Sequence, residues 1–342
     1  MRAACAIVTA IAVCALLACA APRLPETTLR QAPTDFDWHL PPGFPAPSVP
    51  PENPMSTAKV ELGRELFYDQ RLSFNGAISC ATCHLQRLGF TDGHRHAIGA
   101  TGDAHPRSSM PLANVGYNSA FTWIDRKPHS LEEQMYQPLF NEHPIEMGLT
   151  AHEPAVLGRV RGDSSYRESF QQAFPGEPEP VSLTNIVRAI ASFERTLISG
   201  RSPFDHYLFD DDAAALTPAA LRGMHVFFGP RARCGTCHSG VMLGGTEAHY
   251  ANTGVEAGAR QKFRVPTLRN IEVTAPYMHD GSLPTLAAVL DHYSAGGLHR
   301  SPATDARIQP LHLTVGERVD LIEFLHSLTD REFLTDSRYA RP

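Results

Sequence analysis

The pentapeptides Cys80-Ala81-Thr82-Cys83-His84 and Cys234-Gly235-Thr236-Cys237-His238 determine the class of this protein. Both have the pattern C-x-x-C-H, in which two thiols bond to the vinyl groups of one haem and the adjacent histidine coordinates its iron. A redox dithiol would not need a histidine in both copies, and a four-cysteine zinc site would leave both histidines without a role. The sequence therefore predicts two covalent c-type haems, with His84 and His238 as proximal ligands.

Helical patterns flank both motifs. Apolar residues recur with helical spacing from Ile186 to Leu197, and Thr314 with Glu317 forms a capping-box pattern. The predicted helices cover 58–72, 181–197, 217–228, 284–294 and 314–328. No convincing run of alternating strand residues is present. The expected fold is mostly α, with two cytochrome c-like domains, long loops, and one covalent haem in each domain. A helix signal, a C-x-x-C-H motif and a Gly/Pro-rich loop occur twice, which forms a loose duplication.

Length and composition agree with two folded domains. The chain has 342 residues, enough for two domains of about 150 residues. Its 30 basic and 36 acidic side chains give a net charge of −6, which argues against a nucleic-acid partner because such a partner needs a basic patch. A hydrophobic content of 42% is sufficient for a buried core. We place the N-terminal domain at 56–212 and the C-terminal domain at 213–335.

The chain begins with an export signal. Arg2 precedes a nearly uncharged run, which is typical of a signal peptide and is placed at 1–20. The segment 16–19 resembles a lipobox, with Cys19 as the lipidation candidate. Plain cleavage and an uncleaved membrane anchor are the alternatives. All three place the body outside the cytoplasm, in the periplasm, either free or anchored through lipidated Cys19. The Pro-rich segment 21–55 is predicted to be an extended tether or wrap, with Trp38 packed on the body.

Several further segments carry a family resemblance. They are Leu62-Gly63-Arg64-Glu65-Leu66-Phe67, Leu131-Glu132-Glu133-Gln134, Pro144-Ile145-Glu146-Met147-Gly148, Phe263-Arg264-Val265-Pro266-Thr267-Leu268-Arg269-Asn270 and Ala275-Pro276-Tyr277-Met278-His279-Asp280-Gly281. With these segments in order around two haem motifs, the chain resembles the bacterial dihaem cytochrome c peroxidases, and more narrowly their MauG branch. The opening Trp38-His39-Leu40-Pro41-Pro42-Gly43-Phe44-Pro45 resembles the MbnH-like MauG subgroup, whose partner is a copper-binding protein.

The resemblance assigns residues to the far side of the first iron. The peroxidase branch closes this site with a histidine, whereas Ala100 stands at that position here, so the resemblance implies an open iron. It places Glu146 over the open face as a general acid–base for peroxide, and Gln134 as a hydrogen-bonding residue in the same pocket. Nearby histidines are the alternative ligands: His94, His96 and His105.

The resemblance also assigns the second haem and the space between the haems. Tyr293 replaces the peroxidase methionine, and a phenolate favours ferric and higher iron, which suits a haem that stores an oxidising equivalent. The alternative ligands are Met242, Met278 and His292. Trp123 matches a tryptophan that relays electrons between the haems. One calcium ion is implied, bound by the carbonyls of Thr274 and Pro276, with Ser108 in the place of the usual asparagine.

The resemblance implies an exported dihaem oxidase. Hydrogen peroxide would react at the His84 haem, and a high-valent dihaem state would oxidise an aromatic residue, expected to be tryptophan, in a partner protein. One alternative is a cytochrome c peroxidase that takes electrons from a small cytochrome. Another is a dihaem electron carrier with no catalytic activity. MauG has a relay tryptophan two residues before its second motif, whereas this chain has Ala232, so the sequence does not define the exit path.

Overall fold

The computed structural model describes residues 36–244 and 249–342. The predicted signal peptide, Cys19 and the start of the Pro-rich segment lie outside the described residues. Within the described part of the chain, no helix is both long and apolar enough to cross a membrane.

The described residues are mostly helical, which confirms the predicted fold class. The α-helices are α1 Thr57–Tyr68, α2 Cys80–Cys83, α3 Leu131–Phe140, α4 Glu153–Gly162, α5 Ser164–Ala173, α6 Leu183–Arg195, α7 Pro203–Phe209, α8 Pro218–Phe228, α9 Leu286–Ser294 and α10 Val315–His326. Two short antiparallel strands, β1 Tyr250–Ala251 and β2 Phe263–Arg264, form a small sheet. Short 3₁₀ helices are present at Gln70–Leu72, Gln86–Leu88, Val115–Tyr117, Cys234–Thr236 and Ile271–Val273, of which Cys234–Thr236 lies within the second haem motif.

A helix is present in each of the five predicted ranges. Three of them begin at the polar residues that the sequence indicated. The Ser182 hydroxyl accepts the Asn185 N–H at the start of α6, and Thr217 caps α8 in the same way. At the start of α10, Thr314 accepts the Glu317 N–H at 3.2 Å while the Glu317 carboxylate accepts the Thr314 N–H at 2.8 Å. These local bonds satisfy N–H groups that have no partner within the helix, which explains why the sequence signals are reliable.

Two helix pairs cross in the same way, one in each half of the chain. A Cβ atom on Gly63 of α1 would lie 1.9 Å from the carbonyl oxygen of Ala189 in α6. A Cβ atom on Gly223 of α8 would likewise lie 1.9 Å from the carbonyl oxygen of Asp320 in α10. Only glycine allows backbones to approach this closely. The duplication noticed in the sequence is therefore repeated in the packing.

A second repeated contact involves two asparagines. Asn114 and Asn270 both have φ of 61°, and each side-chain oxygen accepts a backbone N–H, from Ser199 and Asp330 respectively, at 2.9 Å. The Asn270 amide also donates to the Ser199 hydroxyl at 2.9 Å. The two equivalent turns are thus joined to each other through Ser199.

The described residues bury two hydrophobic cores. The first contains residues between Leu62 and Leu197, joined by Phe333, Leu334 and Tyr339 from the C-terminal segment. The second contains residues between Phe204 and Leu328. The C-terminal segment therefore returns to the first core. The domain limits 56–212 and 213–335 stay predictions.

The described part of the Pro-rich segment packs against both halves. Phe44 is buried, and its ring centroid lies 6.2 Å from that of Phe209 and 4.8 Å from the Arg269 guanidinium. Arg269 forms a buried two-pronged ion pair with Asp205, with both N–O distances at 2.8 Å. Trp38 packs edge-on against Phe36 at 5.0 Å. Its predicted contact with the body stays a prediction.

Candidate haem sites and the peroxide pocket

The two motif histidines have equivalent surroundings. His84 Nδ1 lies 2.8 Å from the carbonyl oxygen of Phe90, and His238 Nδ1 lies 3.0 Å from that of Leu243. A carbonyl oxygen can only accept a hydrogen bond, so each Nδ1 carries the hydrogen and each Nε2 keeps a lone pair for a metal. Burial lowers the pKa of His84, and it lowers that of His238 to about 4. Both rings are neutral, as an iron ligand must be.

The two carbonyl acceptors belong to strained residues. Phe90 and Leu243 have φ of 62° and 50°, in the left-handed region that bulky residues seldom occupy. Both side chains are buried. Such conformations persist only where the surrounding structure imposes them, and here they point a carbonyl at the ligating histidine. Sequence reasoning missed these two residues because no local residue pattern marks them.

The cysteines are suited to covalent attachment. None of Cys80, Cys83, Cys234 and Cys237 forms a disulfide bond. Burial raises the pKa of the Cys83 thiol and of the Cys234 thiol to about 12. A catalytic dithiol has the opposite property, because its function requires a thiolate at neutral pH. The geometry thus disfavours the redox-dithiol interpretation of the C-x-x-C pairs.

A large cavity adjoins the second motif. The empty space within it, including open solvent at its mouth, is about 1350 Å³. Cys234, Cys237 and His238 line it together with Trp123 and Tyr293. Most of the other lining residues are apolar, among them Phe227, Leu286, Leu290, Leu321 and Leu325. The cavity has the attachment residues and the apolar lining that a haem requires.

An uncompensated cation lines the same cavity. Arg264 is 7% exposed, and its Nε has no hydrogen-bond partner among the described residues. Burial lowers the pKa of this guanidinium to about 10. A buried charge without a partner is costly. The propionate carboxylates of a haem would supply the missing anion, so the donor set of this cavity fits the cofactor.

Tyr293 on α9 faces the cavity, and so does Met278. Burial raises the pKa of the Tyr293 phenol, so its deprotonation requires a nearby cation such as iron. His292 is fully buried. Its Nε2 lies 3.0 Å from the Thr253 carbonyl oxygen, and its Nδ1 accepts the Leu298 N–H at 3.3 Å. With both nitrogens engaged, His292 has no lone pair left for a metal.

At the first motif, Ala100 and Glu146 are direct neighbours. The Ala100 N–H donates to the Glu146 carbonyl oxygen at 2.8 Å, and Asn75 donates to the Ala100 carbonyl oxygen at 2.8 Å. The preceding Ile98 carbonyl oxygen lies 3.9 Å from the Cys83 sulfur. The segment 98–100 therefore runs from the attachment motif to Glu146 with an alanine at the critical position.

The end of α3 also contributes to this pocket. The Met147 N–H donates to the carbonyl oxygen of Pro138 within α3 at 2.9 Å, which sets Glu146 beside the helix end. Gln134 is half-buried one turn earlier on α3. Asn141 donates to Glu146 Oε1 at 3.4 Å, and His105 Nε2 lies 3.5 Å from the same oxygen. Asn141 was not predicted, since its role depends on a tertiary contact.

Trp123 links the second cavity to the first motif. Its indole lines the cavity, and its Nε1–H donates to the Ser108 carbonyl oxygen at 2.9 Å. The next residue, Ser109, donates its hydroxyl to the Cys83 carbonyl oxygen at 2.7 Å. The indole therefore connects the cavity of the second motif with the segment bonded to the first, and its relay role stays a prediction.

The residues assigned to calcium make other contacts. The Ser108 hydroxyl donates to the Met278 carbonyl oxygen at 3.0 Å, and the Thr274 hydroxyl donates to that of Ile271 at 3.3 Å. The calcium site formed by Thr274, Pro276 and Ser108 stays a prediction.

Comparison with known proteins agrees with this architecture. The family model for di-haem cytochrome c peroxidase matches residues 57–213, and a RoxA-like, cytochrome c-like model matches 263–295. The methylamine utilization protein MauG of Methylorubrum extorquens is 37% identical over 82% of this chain and 80% of its own. The cytochrome c551 peroxidase of Nitrosomonas europaea is 38% identical over 72% of this chain and 75% of its own.

A solved structure is also similar over nearly the full length. A MauG-like protein associated with microbial copper homeostasis has a TM-score of 0.86 and 40% identity, over 90% of this chain and 99% of that one. The fold and the two attachment sites define the class of protein. It is a c-type cytochrome with two haems, of the kind that reacts with peroxide. The chain belongs to the di-haem cytochrome c peroxidase/MauG family. It is a peroxide-dependent oxidoreductase with two c-type haems.

Proposed function

We propose that this protein is an exported oxidase that uses hydrogen peroxide to oxidise a tryptophan of a partner protein at long range. The observation that carries the proposal is the position of Trp123, whose indole lines the second cavity and is bonded to the segment that holds Cys83. A simple peroxide scavenger needs no storage of oxidising equivalents at both sites, whereas oxidation at a distance benefits from it.

Glu146 acts as the general acid–base of the first site. Its carboxylate takes a proton from one peroxide oxygen and returns it to the leaving oxygen. Gln134 contributes a hydrogen bond to the same pocket. Ala100 offers no ligand, so the site is open in the resting state. The main-chain bond between Ala100 and Glu146 supports this arrangement because it holds the unreactive alanine where a closing ligand would stand.

Bound haem would supply the iron that reacts with peroxide at His84 and holds oxidising equivalents at both sites. Cys80 and Cys83 would hold the first haem, and Cys234 and Cys237 the second, with His84 and His238 as proximal ligands. Tyr293 is the proposed second ligand at the His238 site. Its position on the cavity wall and the full engagement of His292 support it over His292. Trp123 carries electrons between the sites.

The partner is proposed to be a copper-binding protein exported to the same compartment. The support is the MauG-like structure associated with copper homeostasis and the MbnH-like opening segment around Trp38. We place the protein in the periplasm, with Cys19 as the candidate lipid anchor. Ala232 lies where MauG has a relay tryptophan, so electrons leave the partner by a path that does not use that position.

The test supplies the diferric holoprotein with peroxide in two parallel assays. One contains a tryptophan-bearing peptide, and mass spectrometry measures oxygen incorporated at the indole. The other contains a reduced small c-type cytochrome, and absorbance measures its oxidation. Indole oxidation without prior reduction supports the proposal. Turnover that requires the reduced cytochrome contradicts it and establishes the cytochrome c peroxidase alternative.

A further inference from the structure

We infer that His105 is a positioning residue for Glu146, holding the carboxylate in the orientation that peroxide activation requires. The inference rests on the proposed role of Glu146 and names a residue that this role did not include. Sequence reasoning treated His105 only as an alternative iron ligand. Its contacts in the structure point to a different task.

The backbone around His105 is firmly held. The His105 N–H donates to the Ala97 carbonyl oxygen at 2.7 Å, and His96 Nδ1 lies 2.8 Å from the His105 carbonyl oxygen. Ile98 and Ala104 pair as an antiparallel bridge. Residues 96–107 thus form a short hairpin, which we call the 96–107 hairpin. Main-chain bonds hold most of this hairpin, and the His105 ring adds one further bond to it, from the Arg107 N–H.

The 96–107 hairpin contacts Glu146 twice. At its tip, the Ala100 N–H donates to the Glu146 carbonyl oxygen at 2.8 Å. On its return strand, His105 Nε2 lies 3.5 Å from Glu146 Oε1. The Ala100 contact holds the main chain of Glu146, and the His105 contact is made to its side chain. The hairpin that lacks a closing ligand therefore also presents a ring to the catalytic carboxylate.

The hydrogen bonds of the ring define its tautomer. His105 Nδ1 accepts the Arg107 N–H at 3.3 Å, so this nitrogen carries a lone pair. In the neutral ring the hydrogen then lies on Nε2, where it faces Glu146. A histidine in this state has no free lone pair for iron. Its Nε2 instead faces the Glu146 carboxylate at 3.5 Å.

Two donors converge on one oxygen of Glu146. Asn141 Nδ2 lies 3.4 Å from Oε1 and His105 Nε2 lies 3.5 Å from it. Among the described residues, no hydrogen bond is made to Oε2. Both contacts are made to Oε1, one a hydrogen bond from Asn141 and the other the approach of His105, which leaves Oε2 to take the peroxide proton. The side chains of His105 and Glu146 are 24% and 32% exposed, so the pair lies at the edge of a solvent-connected pocket.

The experiment compares the reaction of diferric holoproteins with hydrogen peroxide by stopped-flow absorbance. The variants are His105→Ala, His105→Gln, Glu146→Gln and the control His129→Ala, an exposed histidine outside the hairpin. General acid–base catalysis contributes about 10²–10⁴-fold, so Glu146→Gln should slow the reaction by about 100-fold or more. His105→Ala should slow it by about tenfold, as a lost positioning contact near a metal site does.

His105→Gln keeps an N–H donor and should restore most of the rate, and His129→Ala should react like the wild type. A slow Glu146→Gln with a fully active His105→Ala overturns this inference alone. So does a His105→Gln variant as slow as His105→Ala. A change from low-spin to high-spin ferric iron in His105→Ala identifies the residue as an iron ligand and also overturns it. An inert wild type, or a fully active Glu146→Gln, overturns the proposed function together with the inference.

Discussion

The indole N–H of Trp123 donates a hydrogen bond to the carbonyl oxygen of Ser108 at 2.9 Å. Ser108 is covalently followed by Ser109, whose hydroxyl bonds to the Cys83 carbonyl oxygen at 2.7 Å. The Trp123 carbonyl oxygen also accepts the Arg264 N–H at 2.8 Å, and Arg264 lines the second cavity. The indole is therefore fixed between the two attachment sites, which is the requirement for a relay with a defined geometry.

Replacement of this indole tests the relay. Trp123→Phe removes the donor to Ser108 and the readily oxidised ring, while the backbone bond to Arg264 remains. We expect normal incorporation of both haems and an unchanged first reaction with peroxide. Oxidation of the tryptophan peptide should fall by about tenfold or more, equivalent to roughly 1.4 kcal/mol in the barrier. Stopped-flow spectra and peptide mass spectrometry measure the two steps separately.

Trp38→Phe is the matched control, because Trp38 and Trp123 are the two tryptophans of the sequence. It should leave both steps unchanged. If Trp123→Phe oxidised the peptide as fast as Trp38→Phe, Trp123 would not relay electrons between the sites.

The close helix crossing predicts a specific sensitivity to added volume. Gly63→Ala would place a Cβ 1.9 Å from the Ala189 carbonyl oxygen, so the helices must separate. Overpacking of this kind costs about 1–3 kcal/mol. Gly158→Ala is the control, since a Cβ there meets no atom within 4 Å and alanine favours the helix by up to about 1 kcal/mol. Guanidinium unfolding of both holoproteins measures the difference, and equal midpoints would refute the crossing geometry.

The buried ion pair predicts a second stability effect. Arg269 and Asp205 are 1% and 3% exposed, so removing one partner leaves an uncompensated charge in the interior. Asp205→Ala should destabilise the fold by about 3–5 kcal/mol. Arg222 forms a similar two-pronged pair with Asp320 but is 61% exposed, and Arg222→Ala should cost far less because solvent screens the pair. Similar losses in both variants would contradict the assigned burial.

Glu194 predicts a dependence of stability on pH. Burial raises the pKa of this carboxyl to about 8, opposed in part by Arg195. The folded state then holds the proton more tightly than the unfolded state, so this group's contribution is most favourable at low pH. It declines as the pH rises from about 4.5 to about 8, by at most roughly 1.4 kcal/mol per pH unit.

Glu194→Gln should remove this decline, with a small effect near pH 5 and a clear stabilisation at pH 8. Denaturant unfolding of the wild type and the variant across that range measures it. Glu168→Gln, on the exposed face of α5, is the control. A constant difference between wild type and Glu194→Gln at all pH values would contradict the buried, protonated state.

The sequence predicted those features that local chemistry determines. The C-x-x-C-H motifs identified both haem sites, and capping residues such as Ser182 and Thr217 located helices correctly to within a few residues. Helical periodicity is a local property of the sequence, so it can be recognised without knowledge of the fold. Gly63 was different, because in the sequence it was only one residue of a family motif. The structure shows that it lies where α1 and α6 cross.

The remainder depends on contacts between distant residues. Asp205 and Arg269 are separated by 64 positions, and no local pattern marks either of them as half of an ion pair. The left-handed conformation of Phe90 also could not be predicted, because a bulky residue adopts it only where the surrounding tertiary structure imposes it. The contact between His105 and Glu146 is also one between residues far apart in the sequence. Proximity in sequence to the first motif suggested an iron ligand, whereas the hairpin turns the ring towards Glu146.

The most direct test of the central claim is the reaction of the resting diferric holoprotein with one equivalent of hydrogen peroxide, followed by stopped-flow absorbance and Mössbauer spectroscopy. If the first iron is open at Ala100, as proposed, we expect an immediate reaction without prior reduction and oxidising equivalents held at both haems. A diferric protein that stays inert until one haem has been reduced would contradict the account and show that the first site is closed at rest.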